Sequence, residues 1–316
     1  MEHSRRQFIG LTAMGLCRLP FMVFENQNTD RSDTVAPIPK IYLFSKHLQF
    51  LKAKEMAESA AVMGFDGLDL TLRKGGHIDP DKGIGELSDM VKMIQEHRIE
   101  AKLMTTDILD VDDLVQFKLL HTASQLGFTH YRMGWFRYNG KYKISQQLKT
   151  FRDALGSLDK VNKQLDLKGC YQNHSGNYIG SPIWDIHPYM EEIGSANIGY
   201  QYDIRHAMVE GGQNWEITFR MISPFIQSIV LKDFIWGKSK GVWKPINVPI
   251  GMGMVNFGHY FSLLKKFGIN VPMIMHFEYD LGGAQHGSQK ISMDRKEIFS
   301  QMKRDLDYVR NTWQKA

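Results

Sequence analysis

The chain has little cysteine: two residues in 316, Cys17 and Cys170. That excludes a disulfide framework for a domain of this size. Beyond the first residues it has no uninterrupted apolar run of about twenty, the length a membrane-spanning helix requires. Lys and Arg never occur five in a row, so the net charge of +5 is spread along the chain and reads as a solvated surface. A nucleic-acid footprint would need those cations clustered on one face, and nucleic acid is not an expected partner. No G-x-G-x-x-G follows the first predicted strand, which argues against a dinucleotide fold. Gly251-Met252-Gly253 is too short for a phosphate cradle and falls in a predicted loop.

What is present begins with an address. Ser4-Arg5-Arg6-Gln7-Phe8-Ile9-Gly10 places two adjacent arginines before an apolar stretch, Phe8 to Leu16. This resembles a bacterial twin-arginine export signal. Arg18 interrupts the stretch before Leu19 to Phe24, and Leu16 stands where a lipoprotein site at Cys17 would need a small residue. Residues 25–38 are polar and read as a linker. Residues 1–35 are therefore expected to be a twin-arginine signal peptide and linker. Residues 36–316 are expected to form one catalytic domain, exported to the periplasm and free of the membrane once the signal is removed; without a working signal it would stay cytoplasmic.

From residue 40 short apolar runs alternate with longer amphipathic ones. The predicted strands are Ile41–Ser45, Gly67–Leu72, Glu100–Thr105, His130–Gly134, Lys168–Asn173, Ile198–Asp203, Ser228–Lys232 and Met273–Glu278. Between them, three-to-four spacing as in Met56, Ala60 and Met63 predicts helices, including Leu51–Met63, Ser145–Leu165 and Phe257–Phe267. Strand then helix, eight times over, is the pattern of an α/β chain whose parallel strands close into a single (β/α)8 barrel of the TIM type.

Such barrels carry their chemistry at the C-terminal ends of the strands. Residues i and i+2 of a strand share a face. That parity pairs Gln172 with His174, Gln201 with Asp203, and His276 with Glu278, and can aim all three pairs into one mouth. Asp203, His206 and Glu278 form the heart of the predicted site. Arg132 and Trp135 at strand four, Asn173 at strand five, and Asp233 and Trp236 after strand seven are candidate substrate contacts. The tryptophans offer flat faces for a sugar ring.

Gly169–Gly176, Asp203–His206, Leu231–Asp233 and His276–Tyr279 resemble the sugar phosphate isomerase/epimerase family, of the xylose-isomerase-like TIM barrel superfamily. The resemblance covers roughly residues 40–310 and implies one divalent metal, Mn, Mg, Co or Zn. The ligands it implies are Glu on strand five, Asp on strand six, His on strand seven and Glu on strand eight. Asp203 and Glu278 match, His206 matches a substrate contact, and Lys232-Asp233 matches the family's Lys-Asp pair. Two positions depart: Gln172 replaces a glutamate and Val230 a histidine. A glutamine can still ligate a hard cation without charge, whereas valine cannot. A retained metal would rest on Asp203, Glu278, Gln172 and His276.

The implied chemistry is proton abstraction beside the carbonyl of a sugar or keto-sugar. Glu278 is the expected base, with His174 and Lys232 as catalytic partners. Loss of the strand-five glutamate argues against a symmetric two-glutamate epimerisation. It leaves aldose-ketose isomerisation, elimination from a keto-sugar, or a sugar-binding barrel without catalysis. A nuclease of the same superfamily would need a trinuclear metal site, and too few histidines fall at the strand ends for it.

Overall fold

The computed structural model describes residues 37–316, so the Arg5-Arg6 signal lies outside the described residues. Eight parallel strands close a barrel. They are β1 (Ile41–Phe44), β2 (Gly67–Thr71), β3 (Glu100–Thr105), β4 (His130–Arg132), β5 (Lys168–Gln172), β6 (Ile198–Asp203), β7 (Ile226–Leu231) and, after the hairpin β8–β9, β10 (Met273–Met275). Their order around the barrel is β1-β2-β3-β4-β5-β6-β7-β10, with β10 paired back to β1. Among the described residues no helix is long and apolar enough to cross a membrane.

Parity divides each strand between two environments. Leu43, Leu68, Leu70, Tyr171, Tyr202, Ile229 and Met275 face outward into the main core, which the helices cover. Tyr42, Phe44, Leu103 and Ile274 form a separate small cluster that plugs the barrel interior. Both faces of these strands are buried, which is why the runs are nearly continuous in apolar residues. Where a strand's inward residue is polar, it must find a partner inside the barrel.

Local sequence sets the helix boundaries. The helix Ala53–Met63 ends at Gly64, whose φ of 95° is the left-handed conformation that glycine adopts without steric cost. Asp113 caps Leu114–Gln125 by accepting from Val115 and Gln116, and Asp294 caps the C-terminal helix Arg295–Lys315 through Lys296.

Three features differ from the sequence expectation. The last barrel strand stops at Met275 rather than Glu278, although the His276 N–H still donates to Leu231 O at 3.0 Å. The helices His187–Ile193 and Ile204–Gly211 flank β6 and were not expected. The segment after β7 is an antiparallel hairpin, β8 (Asp233–Ser239) and β9 (Val242–Val248). Lys240 and Gly241 turn it with φ of 51° and 81°. Two successive positive φ values belong to the tight turn whose twist suits a hairpin.

Candidate active site

At the C-terminal end of the barrel a cavity of about 230 Å³ opens on the axis. Arg132 and Trp135 from the end of β4, Gln172 and His174 from β5, Lys232 from β7, and His276 and Glu278 beyond β10 line it. These are seven of the residues expected from sequence, and the shared parity of the strands brings them together. Phe44, Lys46 and Arg73, from the ends of β1 and β2, complete the wall.

Below this wall Asp203 and His206 are buried, Asp203 completely. Asp203 Oδ2 accepts from Gln172 Nε2 at 2.8 Å and pairs with Lys232 Nζ at 3.1 Å. Its Oδ1 accepts the His206 N–H at 3.1 Å, capping the helix Ile204–Gly211. The Lys232 ammonium also lies 3.3 Å from Glu278 Oε2 and 2.9 Å from His206 Nε2. The other ring nitrogen, His206 Nδ1, lies 2.8 Å from Ser175 Oγ and 3.1 Å from Arg205 Nη1, so the ring is held between two cationic donors. His206 contacts Lys232 and lies outside the cavity lining.

The electrostatics separate one carboxylate from the other. Burial raises the Asp203 carboxyl above its usual range, and Lys232 offsets this only in part. Burial pushes Glu278 the same way, but Lys232, then His276 and Lys46, outweigh it and hold Glu278 well below the usual carboxylate range. Glu278 is about a quarter exposed and opens on the cavity. It is ionised and open to the cavity, whereas Asp203 is sealed beneath.

The histidines are neutral. Burial, reinforced by Lys232, lowers His174 to about 4. Its Nδ1 donates to Ser175 O at 2.9 Å, leaving Nε2 an unprotonated acceptor. In this tautomer His174 Nε2 can accept a hydrogen bond at the cavity. Burial lowers His276 to about 3, with the Glu278 hydrogen bond opposing. Its ring stacks on Phe44 at 4.3 Å, and its Nδ1 is 3.6 Å from Glu278 Oε1.

Three expected substrate contacts lie elsewhere. Asn173 accepts the Asp203 N–H at 2.8 Å and donates to Asp203 O at 3.0 Å, so its side chain ties the ends of β5 and β6. The Asp233 carboxylate accepts N–H bonds from Phe234, Gly251, Gly253 and Val255, which organises the loop after β9. Trp236 stands on the hairpin, 43% exposed, against Phe234.

One residue that sequence reasoning missed reaches the site from β9. Asn247 Nδ2 lies 3.4 Å from Glu278 Oε2, and its Oδ1 accepts from Arg205 Nε at 3.1 Å. The signal for it was the Lys240-Gly241 turn between two short extended runs.

The donor set does not fit the divalent metal expected from sequence. The two carboxylates that match that expectation, Asp203 and Glu278, share one ammonium between them. Gln172 presents its amide nitrogen to Asp203, and Val230 is a buried hydrocarbon. Among the described residues no three His, Cys, Asp or Glu side chains gather as a metal would require.

With this geometry in place, residues 57–294 match the family model described as xylose isomerase-like TIM barrel. No curated protein matches the chain in sequence. Among solved structures, the D-psicose 3-epimerase of Clostridium cellulolyticum, crystallised with D-tagatose, superposes with a TM-score of 0.65 at 14% identity. That match covers 87% of this chain and 99% of the other. A xylose isomerase-like TIM barrel protein from Mycobacterium smegmatis, in complex with magnesium, gives 0.61 at 12%, covering 85% and 98%. A probable 3-DHS dehydratase from Bacillus anthracis gives 0.61 at 12%, covering 84% and 98%. At these identities the likeness is one of fold.

Proposed function

Because the chain belongs to the xylose isomerase-like TIM barrel family, we propose that it is an enzyme that removes a proton beside the carbonyl of a sugar or keto-sugar, as an isomerase or a lyase. The observation that carries this reading is the placement of Glu278, an ionised carboxylate, beside the Lys232 ammonium on a sugar-sized cavity. Glu278 takes the proton as the C–H bond breaks. The electron pair moves through the new C=C bond onto the carbonyl oxygen. Lys232 donates to that oxyanion, supplying charge where it develops. Asn247 donates to Glu278 at 3.4 Å, the His276 ring packs beside it, and His174 Nε2 accepts from a substrate hydroxyl.

Glu278 is the one carboxylate lining the cavity. A single base returning its proton to the neighbouring carbon interconverts an aldose and a ketose. Loss of a hydroxyl from the same enediolate, as water carrying the proton that Glu278 took, is the elimination branch. Both suit this site better than an epimerisation that needs a base on each sugar face. A metal is not part of the proposal, because the ammonium stands between the carboxylates that would bind it.

The test is exchange of solvent deuterium into keto-sugars, followed by loss of the proton signal. Glu278→Gln is expected to abolish exchange while the thermal unfolding midpoint stays within a few degrees of wild type. Wild-type exchange in that variant would place the base elsewhere.

A further inference from the structure

The cavity wall is lopsided. Glu278, Lys232 and His276 occupy the arc formed by β7 and β10, while Lys46, Arg73 and Arg132 occupy the arc formed by β1, β2 and β4. Four cations line the cavity against one carboxylate. Lys232 already has Asp203 and Glu278, and Lys46, at the end of β1 beside β10, also feels Glu278, which leaves Arg73 and Arg132.

Arg132 is the more informative of the two. Its side chain is 2% exposed, and Nη2 donates to Thr106 O at 3.1 Å. Its Nε and Nη1 are buried with no hydrogen-bond partner. Asp107 is the nearest free carboxylate, 3.9 Å from both Arg132 and Arg73 and 59% exposed, too far for a hydrogen bond to either. Asp69 lies below, bonded to Thr105 at 2.8 Å, and burial raises it to about 7. Trp135 packs flat beneath the guanidinium, 3.9 Å from its centre, and fixes its plane. A buried guanidinium with unpartnered donors carries a large desolvation cost unless something binds it. Its neighbours are also poorly compensated. Burial lowers Arg132 to about 9, with Arg73 pushing further, and Lys46 is lowered by burial against the opposing pull of Glu278, with Lys232, Arg73 and Arg132 adding to the lowering.

We propose that the substrate is an acidic sugar whose carboxylate or phosphate group is held by Arg132 and Arg73, across the cavity from Glu278. This deepens the functional reading above and rests on it for the word substrate. A bound oxyanion would partner the free Arg132 donors and relieve the repulsion between the two guanidinium groups. It would also orient the sugar, because the anchored acid group and the reacting carbon lie on opposite arcs.

The probes are three keto-hexoses that differ only at carbon six: D-fructose, D-fructuronate and D-fructose 6-phosphate. Affinity is measured by titration calorimetry, and solvent-deuterium exchange is measured separately. At least one acidic sugar is expected to bind about tenfold or more tightly than fructose. Added salt should weaken that preference. Arg73→Gln should remove most of it. Arg132→Gln, whose folding is checked by circular dichroism, should do the same. Which acidic sugar is favoured distinguishes carboxylate from phosphate. Equal affinity for all three, no saturable binding of either acidic sugar, or a preference that survives in folded Arg73→Gln overturns the proposal. Acid-selective binding without exchange in any probe would count against the proton-abstraction reading and leave this one standing. Exchange with fructose and no acid preference would do the reverse.

Discussion

At the scale of single residues, Lys232 determines how the site differs from a metal centre. Its ammonium is 3% exposed and pairs with Asp203 and Glu278. Lys232→Met keeps the stem and removes the charge. Asp203 then remains buried with only the Gln172 and His206 donors. Breaking a buried pair from one side typically costs about 3–5 kcal/mol. Urea unfolding should show a loss of that size together with loss of deuterium exchange; unchanged stability would mean that Asp203 protonates at little cost. Gln172→Glu makes the opposite change. It sets two carboxylates about as close as the present 2.8 Å amide contact, where both cannot ionise freely. The variant should melt lower than wild type in chelator, and manganese should restore it by mass action on the folded state. Wild type should not respond. An equal manganese response in both proteins would show that the present donor set already takes a metal.

At the scale of elements, the hairpin β8–β9 and its following loop hold one edge of the site. The Asp233 carboxylate gathers four backbone N–H groups, and Asn247 on β9 touches Glu278. A Cβ at Gly253 would lie 2.2 Å from Asp233 Oδ1 and 2.5 Å from Phe234 O. Gly253→Ala must therefore displace the carboxylate or the strand. Overpacking of this kind costs about 1–3 kcal/mol. Hydrogen exchange should show reduced protection in β8 and β9 before the barrel strands are affected. Protection equal to wild type would mean that the loop repacks around the methyl group.

The same elements show what was legible in the sequence. The barrel strands could be read because their outward faces need Leu, Ile, Met and Tyr while polar residues recur with period two at their ends. That parity placed Gln172, His174, Lys232, His276 and Glu278 on one wall. The hairpin was not legible, because Trp236, Val242 and Trp243 are exposed and leave no buried-face pattern. Asn173 and Asp233 resembled substrate contacts because a motif records residue type, whereas their bonds to backbone N–H groups appear only in three dimensions. Arg73 stood in view at a strand end. What marks it is the unpartnered Arg132 across the wall, a fact of packing.

At the scale of the whole molecule, burial of histidine links stability to pH. Among the described residues, His47, His77, His130, His174, His206 and His276 are all lowered, with burial the largest cause in each. His77, His130 and His174 fall to about 4 and His276 to about 3. In the unfolded chain these rings titrate near 6.5. As pH falls below that value, the unfolded chain binds protons that the folded protein refuses. Stability is therefore full above about pH 6.5 and declines as pH approaches 4. Buried carboxyls oppose this. Asp69, raised to about 7, favours the folded state as pH falls through the same range, and Asp185, Asp203, Asp233 and Asp305 are raised in the same direction. The six lowered histidines outnumber these five carboxyls. The unfolding midpoint should therefore drop between pH 6.5 and 4.5, measured by calorimetry at constant ionic strength. His130, which lies outside the cavity lining and lacks a resolved charge partner of opposite sign, isolates the effect. His130→Gln should flatten the acid limb by about one proton's worth of slope without altering deuterium exchange. A midpoint that is level or rises toward pH 4.5 in wild type would show that the carboxyls, and not the imidazoles, dominate the buried charge.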